Sequence, residues 1–463
     1  MRKKLLSIEN LILLGVFLSP CSDLFVFKTA IFDVKILQFL WSVVFISILI
    51  CKASIKDFKI GESLISKKDH IIFVLYIISL VLSCLFSFNF GLSFKELLQY
   101  IYLFLIMLVI YKYSNNEDMF NKIIHSIILC NILLVTVSII SYLNGKLLIP
   151  SFKMYQDGSL QVIDSVYKTQ ALVESNSIIN RLEGVMGLGT VGIANCILIQ
   201  SLFINYMIRK SSGRMKTFYL VVFAANVVAM GLTYSRAALI TFIVIHFISL
   251  LGSNRKVNFA LAIIGVCSIP IVLSFFPSLY ERLLEAFNTQ EGSTKYHLVQ
   301  WMVSLREGYD HMATGIGIGN AAFQQDMYKD MFSYLFRKFN LYNVNGSNVH
   351  NFILQIWAEQ GVTGLAANVA LIFYPIVNNL KFKYISRAKG EKTITDYILL
   401  AYAATLFYNL TNNNFYIETF WILAGLAYAS MKFYPADFKE AKLISGRDYC
   451  EETYFKTNFK IEK

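Results

Sequence analysis

The 463-residue chain is 56% hydrophobic and only 16% charged. A soluble domain carries about 25% charged residues, so this balance excludes a soluble enzyme, a disordered chain and a small disulfide scaffold. The net charge of +12 would point to nucleic acid in a soluble protein; here it points to basic cytoplasmic loops, and no nucleic acid partner is expected. Apolar runs of the roughly 20 residues needed to cross hydrocarbon recur along the chain. In chain order they predict spans at 5–22, 36–51, 71–89, 97–113, 123–143, 185–208, 217–234, 237–253, 257–277, 350–379, 395–412 and 416–433. The first follows Met1-Arg2-Lys3-Lys4. That start resembles a secretory signal, but no small-x-small cleavage site follows, which predicts an uncleaved first span. The seven cysteines form no CxxC pair and sit mostly in apolar runs, as buried thiols do.

The fold expected is therefore all-α: one integral membrane unit over 1–463 with about 12 transmembrane helices. The short connections expected inside are basic, carrying Arg209, Lys210, Arg214 and Lys216, then Arg255 and Lys256, then Lys381, Lys383, Arg387, Lys389 and Lys392. That bias places both termini, and the 434–463 tail, in the cytoplasm. Two outside loops are long, 144–184 and 278–349, and structureless loops of that length are uncommon unless functional. The larger predicts helices around 280–287, 296–309 and 321–339. No internal repeat supports the inverted architecture of many transporters.

Polar residues at the outer ends of spans are the candidates for chemistry. Arg181 lies where the first long loop enters a span, in Asn180-Arg181-Leu182-Glu183-Gly184, with Glu183 as a possible partner. Arg236 follows Ser235 between two spans joined by almost no loop. Its bland reading is a snorkelling or headgroup arginine. Its functional reading is an anion clamp, because a guanidinium fork binds phosphate oxygens in pairs. Beyond His350, a helix would put Asn351, Gln355 and Glu359 on one face. Such a stripe reads either as a cavity lining or as a helix start facing water. Histidine has a pKa suited to proton transfer near neutrality. Gly315-x-Gly317-x-Gly319-Asn320 lacks the spacing of a nucleotide loop and no strand precedes it, so a tight turn is expected. His297 and His311 lack metal-ligand spacing, and no metal or cofactor is expected.

Together these motifs resemble the O-antigen ligase and polysaccharide polymerase superfamily. His350-Asn351, nine residues, then Gly361-x-x-Gly364 is similar to that family's HN-x9-GxxG pattern. Ser235-Arg236-Ala237 resembles its short arginine-bearing periplasmic turn, and Arg181-x-x-Gly184 its other arginine before a glycine-rich span. Trp301 before the glycine run resembles the approach to its large loop. The likeness covers about 170–375. It departs at His297, where arginine is the family's residue, and at Met312, where proline is common.

The resemblance implies a GT-C-type glycosyltransferase in the bacterial cytoplasmic (inner) membrane, acting in surface-polysaccharide, capsule or lipopolysaccharide synthesis. The implied donor is a glycan on undecaprenyl pyrophosphate, within membrane lipid. Transfer to an acceptor hydroxyl would invert the anomeric centre without metal. Arg181 and Arg236 would stabilise the leaving pyrophosphate, and His350 would be the candidate base. Ser235, Asn351, Gln355 and Glu359 would contact substrate, and the large loop would hold or gate the sugars. A chain-length regulator is a possible protein partner. A polymerase of lipid-linked repeats is favoured because such enzymes are the more numerous group; the alternatives are a ligase to lipid A–core and, from another class, a lipid or polysaccharide transporter.

Overall fold

The computed structural model describes residues 7–28, 33–54, 67–114, 116–163, 181–184, 188–250, 292–324, 328–339, 349–385, 393–413 and 415–432. Its long helices are α1 (Ile8–Leu18), α2 (Ile36–Ser54), α3 (Lys67–Leu85), α4 (Phe90–Tyr113), α5 (Glu117–Asn144), α6 (Thr190–Lys210), α7 (Gly213–Leu232), α8 (Arg236–Leu250) and α9 (Gly292–Asp310). They are followed by the short α10 (Ala321–Gln324) and α11 (Ser333–Lys338), then α12 (Phe352–Ile385), α13 (Ile394–Tyr408) and α14 (Glu418–Ser430). Six of these, α3 to α7 and α12, are long and apolar enough to cross a membrane, and α1, α2, α8 and α13 are shorter apolar helices. The expected span at 257–277, the helix around 280–287 and the tail 434–463 lie outside the described residues.

Local signals set the helix ends. Asn89 and Asn116 cap α4 and α5 by accepting from the N–H of Leu92 and Met119. Gly145, at φ 64°, closes α5 in the left-handed conformation. Thr393 and Asp396 form a capping box at the start of α13.

Aromatic residues fill the main core: Tyr76 lies 5.4 Å from Phe104 and 5.8 Å from Trp421, ring centre to ring centre. Close helix contacts use glycine. A Cβ on Gly15 would stand 2.9 Å from the Trp41 ring, and one on Gly425 2.7 Å from the Met107 carbonyl oxygen. Buried amides tie neighbouring helices together: Asn131 donates to Gln200 and Asn226, both at 2.8 Å, joining α5, α6 and α7. Such bonds hold helices that gain nothing from hydrophobicity in lipid.

Two expectations change. The chain is not purely α-helical: β1 (Phe25–Lys28), β2 (Asp33–Lys35), β3 (Ser151–Met154) and β4 (Leu160–Ile163) form one sheet in the order β2-β1-β3-β4. Its β1–β2 and β3–β4 pairs are antiparallel, while β1 and β3 run parallel and so join the two loops. These strands are three to four residues long, too short to register as alternation among long apolar helices. The helix expected at 321–339 is also broken, into α10 and α11. Phe336 and Phe339 tuck beneath Val299 and Val303 of α9, and that single turn supplies the packing the segment needs.

Candidate active site

One end of the bundle gathers the C-terminus of α7, the N-terminus of α8, residues 181–184, the C-terminus of α13 and the N-terminus of α12. The α7–α8 turn is tight. Thr233 Oγ1 donates to the Met230 carbonyl, and Ser235 N–H to Thr233 Oγ1 at 3.2 Å. Tyr234 between them sits at φ 50°. Arg236 is thereby the first residue of α8, where unpaired backbone N–H groups and the helix dipole already favour an anion. Residues 181–184 lie against this turn: Leu182 N–H donates to the Leu232 carbonyl at 2.8 Å, and Arg181 Nε to the Thr233 carbonyl at 2.9 Å. Arg181 is thus oriented by a backbone carbonyl. Burial raises the pKa of neighbouring Glu183, against the pull of Arg181.

From there the contacts lead to His350. Ser235 Oγ and Tyr408 Oη lie 3.4 Å apart. The next residue, Asn409, accepts from Phe352 N–H at 3.2 Å, which ties the start of α12 to the end of α13. His350 stands just before that helix at φ 53°. Among the described residues, Tyr234 and His350 are the non-glycine residues with positive φ. Backbone strain of this kind gathers at functional sites. One lies two residues before Arg236, and the other is His350 itself. Burial lowers the His350 pKa, so the ring is neutral and able to accept a proton at neutral pH. Its ring centre is 4.5 Å from that of His297 on α9, at the position where the sequence departs from the family's arginine.

The expected polar stripe divides by role. Asn351 caps α12, its Oδ1 accepting from Ile353 and Leu354 N–H at 3.0 and 3.1 Å. Gln355 and Glu359 are buried. Gln355 Nε2 donates to Glu359 Oε1 at 3.1 Å and to Tyr416 Oη at 2.6 Å, and Gln355 Oε1 accepts from Asn413.

The glycine run is a clamp. At Gly361 (φ 61°, ψ −156°) α12 loses helical geometry, in a region that essentially only glycine occupies. The break frees backbone groups that the run takes up. Ile316 and Gly317 N–H donate to the Ala358 and Glu359 carbonyls, and Val362 N–H donates to the Met312 carbonyl at 2.7 Å. Ser83 and Ser93 hold the other side, donating to the carbonyls of Glu359 and Ile318. Gly315, Gly317 and Gly319 all have positive φ, and a Cβ on Gly315 would lie 2.2 Å from the Glu359 backbone. The run is therefore the tight turn expected. A Cβ on Gly361 would meet the Met312 carbonyl oxygen at 2.5 Å. Gly361→Ala combines that clash with backbone strain of about 1–3 kcal/mol. The variant is expected to melt several degrees lower in detergent and to accumulate poorly; an unchanged melting temperature would contradict the clamp.

A second polar stripe belongs to α9. Gln300, Ser304 and Glu307 follow His297 along one face and are fully buried. Both polar atoms of the Gln300 amide, Ser304 Oγ and both Glu307 oxygens make no hydrogen bond with any described residue. Glu359 Oε2, across on α12, makes none either. Burial, with the Glu359 charge adding to it, pushes the Glu307 carboxyl up to about 8, so it stays mostly protonated at neutral pH. Each such group costs about 1–3 kcal/mol of lost hydration.

Of the residues singled out from sequence, Arg181, Ser235 and Arg236 lie on or against the α7–α8 turn, and the contacts from that turn run through Tyr408 and Asn409 to Phe352, two residues after His350. Gln355 and Glu359 form a separate network deeper along α12. The sequence reading missed Tyr408, Asn409, Asn413 and the α9 stripe. A signal existed for the first group, since Thr411, Asn412, Asn413 and Asn414 interrupt two apolar runs. Among the described residues no group of three or more His, Cys, Asp or Glu could hold a metal ion.

Residues 220–369 match a family model described as O-antigen ligase. The match runs from α7 into α12 and contains Arg236, the glycine clamp and His350; Arg181 lies before it. This segment belongs to the O-antigen ligase and polymerase superfamily. Comparison with curated proteins finds none that matches the chain.

Proposed function

Proceeding from an O-antigen ligase segment that contains both Arg236 and His350, we propose that this protein transfers a glycan from a polyprenyl pyrophosphate to an acceptor hydroxyl. The observation that supports the reading is the α7–α8 turn, which sets Arg236 at the α8 N-terminus with Arg181 bound to the turn's backbone, and which is linked through Ser235, Tyr408 and Asn409 to Phe352, two residues after the neutral His350. A lipid-linked donor keeps its prenyl chain in the bilayer and its pyrophosphate at the membrane surface. The arginine corner suits that headgroup, and the opposite ends of the helices carry Lys112, Arg209, Lys210 and Lys432, as cytoplasmic ends do. We place the site outside and both termini in the cytoplasm.

In the proposed reaction the acceptor oxygen attacks the anomeric carbon and passes its proton to a nitrogen of His350. The bond from that carbon to the pyrophosphate oxygen breaks, and its electron pair leaves with the lipid pyrophosphate. Arg181, Arg236 and the α8 N-terminus neutralise the charge that develops there. Displacement in one step inverts the sugar. The positive charge that balances the leaving group is supplied by side chains, so turnover is expected to persist in EDTA. Loss of activity in EDTA with rescue by Mg²⁺ or Mn²⁺ would reject that account.

Between the two activities of the superfamily we propose the polymerase, working on undecaprenyl-pyrophosphate repeat units in the bacterial cytoplasmic membrane, alongside a protein that limits chain length. Purified protein in nanodiscs, given only lipid-linked repeat units, should produce a ladder of longer lipid-linked chains. Product formed solely when lipid A–core is added would make it a ligase. No transfer to either would remove the glycosyltransferase reading.

A further inference from the structure

Ten residues of α9 separate His297, which touches His350, from Glu307, a length of about 15 Å along the helix. Over that length Gln300, Ser304 and Glu307 present an amide, a hydroxyl and a carboxyl, all fully buried and making no hydrogen bond with a described residue. Trp301, on the same helix, packs against the apolar cluster of Ile316, Ala321, Val349 and Ala358. Closely spaced amide, hydroxyl and carboxyl groups beside an aromatic ring suit a polyhydroxyl ligand. An apolar ligand would leave them unsatisfied, and an anion would find no cationic side chain among them.

Position selects which sugar. The contacts run from the turn that carries Arg236 and binds Arg181, through Tyr408 and Asn409, to Phe352 at the start of α12; His350, two residues before it, touches His297 at the head of the α9 stripe. In a displacement that inverts the anomeric centre, the attacking hydroxyl approaches from the side opposite the leaving group. With the pyrophosphate on the arginines, the far side of His350 is α9. We propose that Gln300, Ser304 and Glu307 form the subsite for the acceptor glycan, their polar atoms bonding its hydroxyls. This rests on the glycan-transfer reading given above. The stripe is closed against α12, where Trp357 Nε1 donates to the Leu305 carbonyl at 3.1 Å and Gly308 leaves room for its indole. Binding a sugar therefore requires α9 to lift from α12.

The test uses full-length protein in nanodiscs, lipid-linked repeat units as donor, and as acceptor the lipid-free oligosaccharide that mild acid releases from those units. Gln300→Leu and Glu307→Leu should each raise the acceptor KM about tenfold or more, the effect of losing one well-made hydrogen bond. Donor binding and kcat at saturating acceptor should change little. Glu307→Gln, which keeps a donor and an acceptor, should retain most acceptor affinity. Replacing unpartnered buried polar groups by apolar ones of similar size should leave the melting temperature equal or higher, a result that separates lost binding from lost folding. An acceptor KM unchanged in both leucine variants would overturn the subsite. So would a fall in melting temperature accompanied by equal losses in donor and acceptor binding, which marks a packing role. Wild-type protein that transfers nothing under these conditions would instead defeat the glycan-transfer reading itself.

Discussion

Arg236→Ala is expected to lower glycan transfer by about 10²–10³, the usual effect of removing a positioned group that stabilises developing charge. Arg236→Lys should recover only part of this. Lysine keeps the charge but not the planar fork that engages two phosphate oxygens at once. The position makes the effect large: Arg236 is the first residue of α8, set by a turn whose Thr233 and Ser235 are locked by their own hydrogen bonds and whose Tyr234 is held at φ 50°. Donor affinity should fall together with rate, while insertion and accumulation are kept. Normal rate and donor affinity in Arg236→Ala would separate this residue from the pyrophosphate.

His350→Ala is expected to cost about 10²–10⁴ in rate through lost proton transfer, with donor binding nearly unchanged. The pH profile gives an independent reading. Burial lowers the His350 pKa below its ordinary value. The neutral ring that accepts the proton is present above that pKa and lost as pH falls through it. Wild-type activity should therefore hold at neutral pH and decline on an acid limb centred below the ordinary range of a histidine. In His350→Ala the residual activity should lack that limb. A strong loss of donor affinity in this variant would make His350 a phosphate ligand rather than a base.

How far the sequence reaches depends on the range of each signal. Span periodicity extends over about twenty residues, and α3 to α7 and α12 fall where it places them. The motif residues Arg236, His350 and Gly361 were legible by type and spacing, but their physical work was not. Gly361 reads as half of a GxxG pattern; in three dimensions it breaks α12 and opens backbone groups to the Gly315–Gly319 turn. Asn351 reads from sequence either as a cavity residue or as part of a helix start, and it caps the helix, as asparagine ahead of an apolar run commonly does. The sheet was hidden because its pairing joins residues more than a hundred positions apart, Phe25 with Phe152. Its one local clue is Asp157-Gly158, with Gly158 at φ 79°, a hairpin signal between two short apolar stretches. The α9 stripe was invisible for a different reason. Gln300, Ser304 and Glu307 look like the wet face of a loop helix until the packed structure shows all three fully buried.

The most direct test of the central claim is the identity of the lipid released when purified protein turns over lipid-linked repeat units. The phosphorus-31 spectrum of the products separates the outcomes. Cleavage between the anomeric carbon and the pyrophosphate oxygen, with charge received at Arg181 and Arg236, predicts undecaprenyl pyrophosphate in an amount equal to the glycosidic bonds formed, and its disappearance in Arg236→Ala. Release of undecaprenyl monophosphate, or growth of glycan without any released lipid phosphate, would contradict the account.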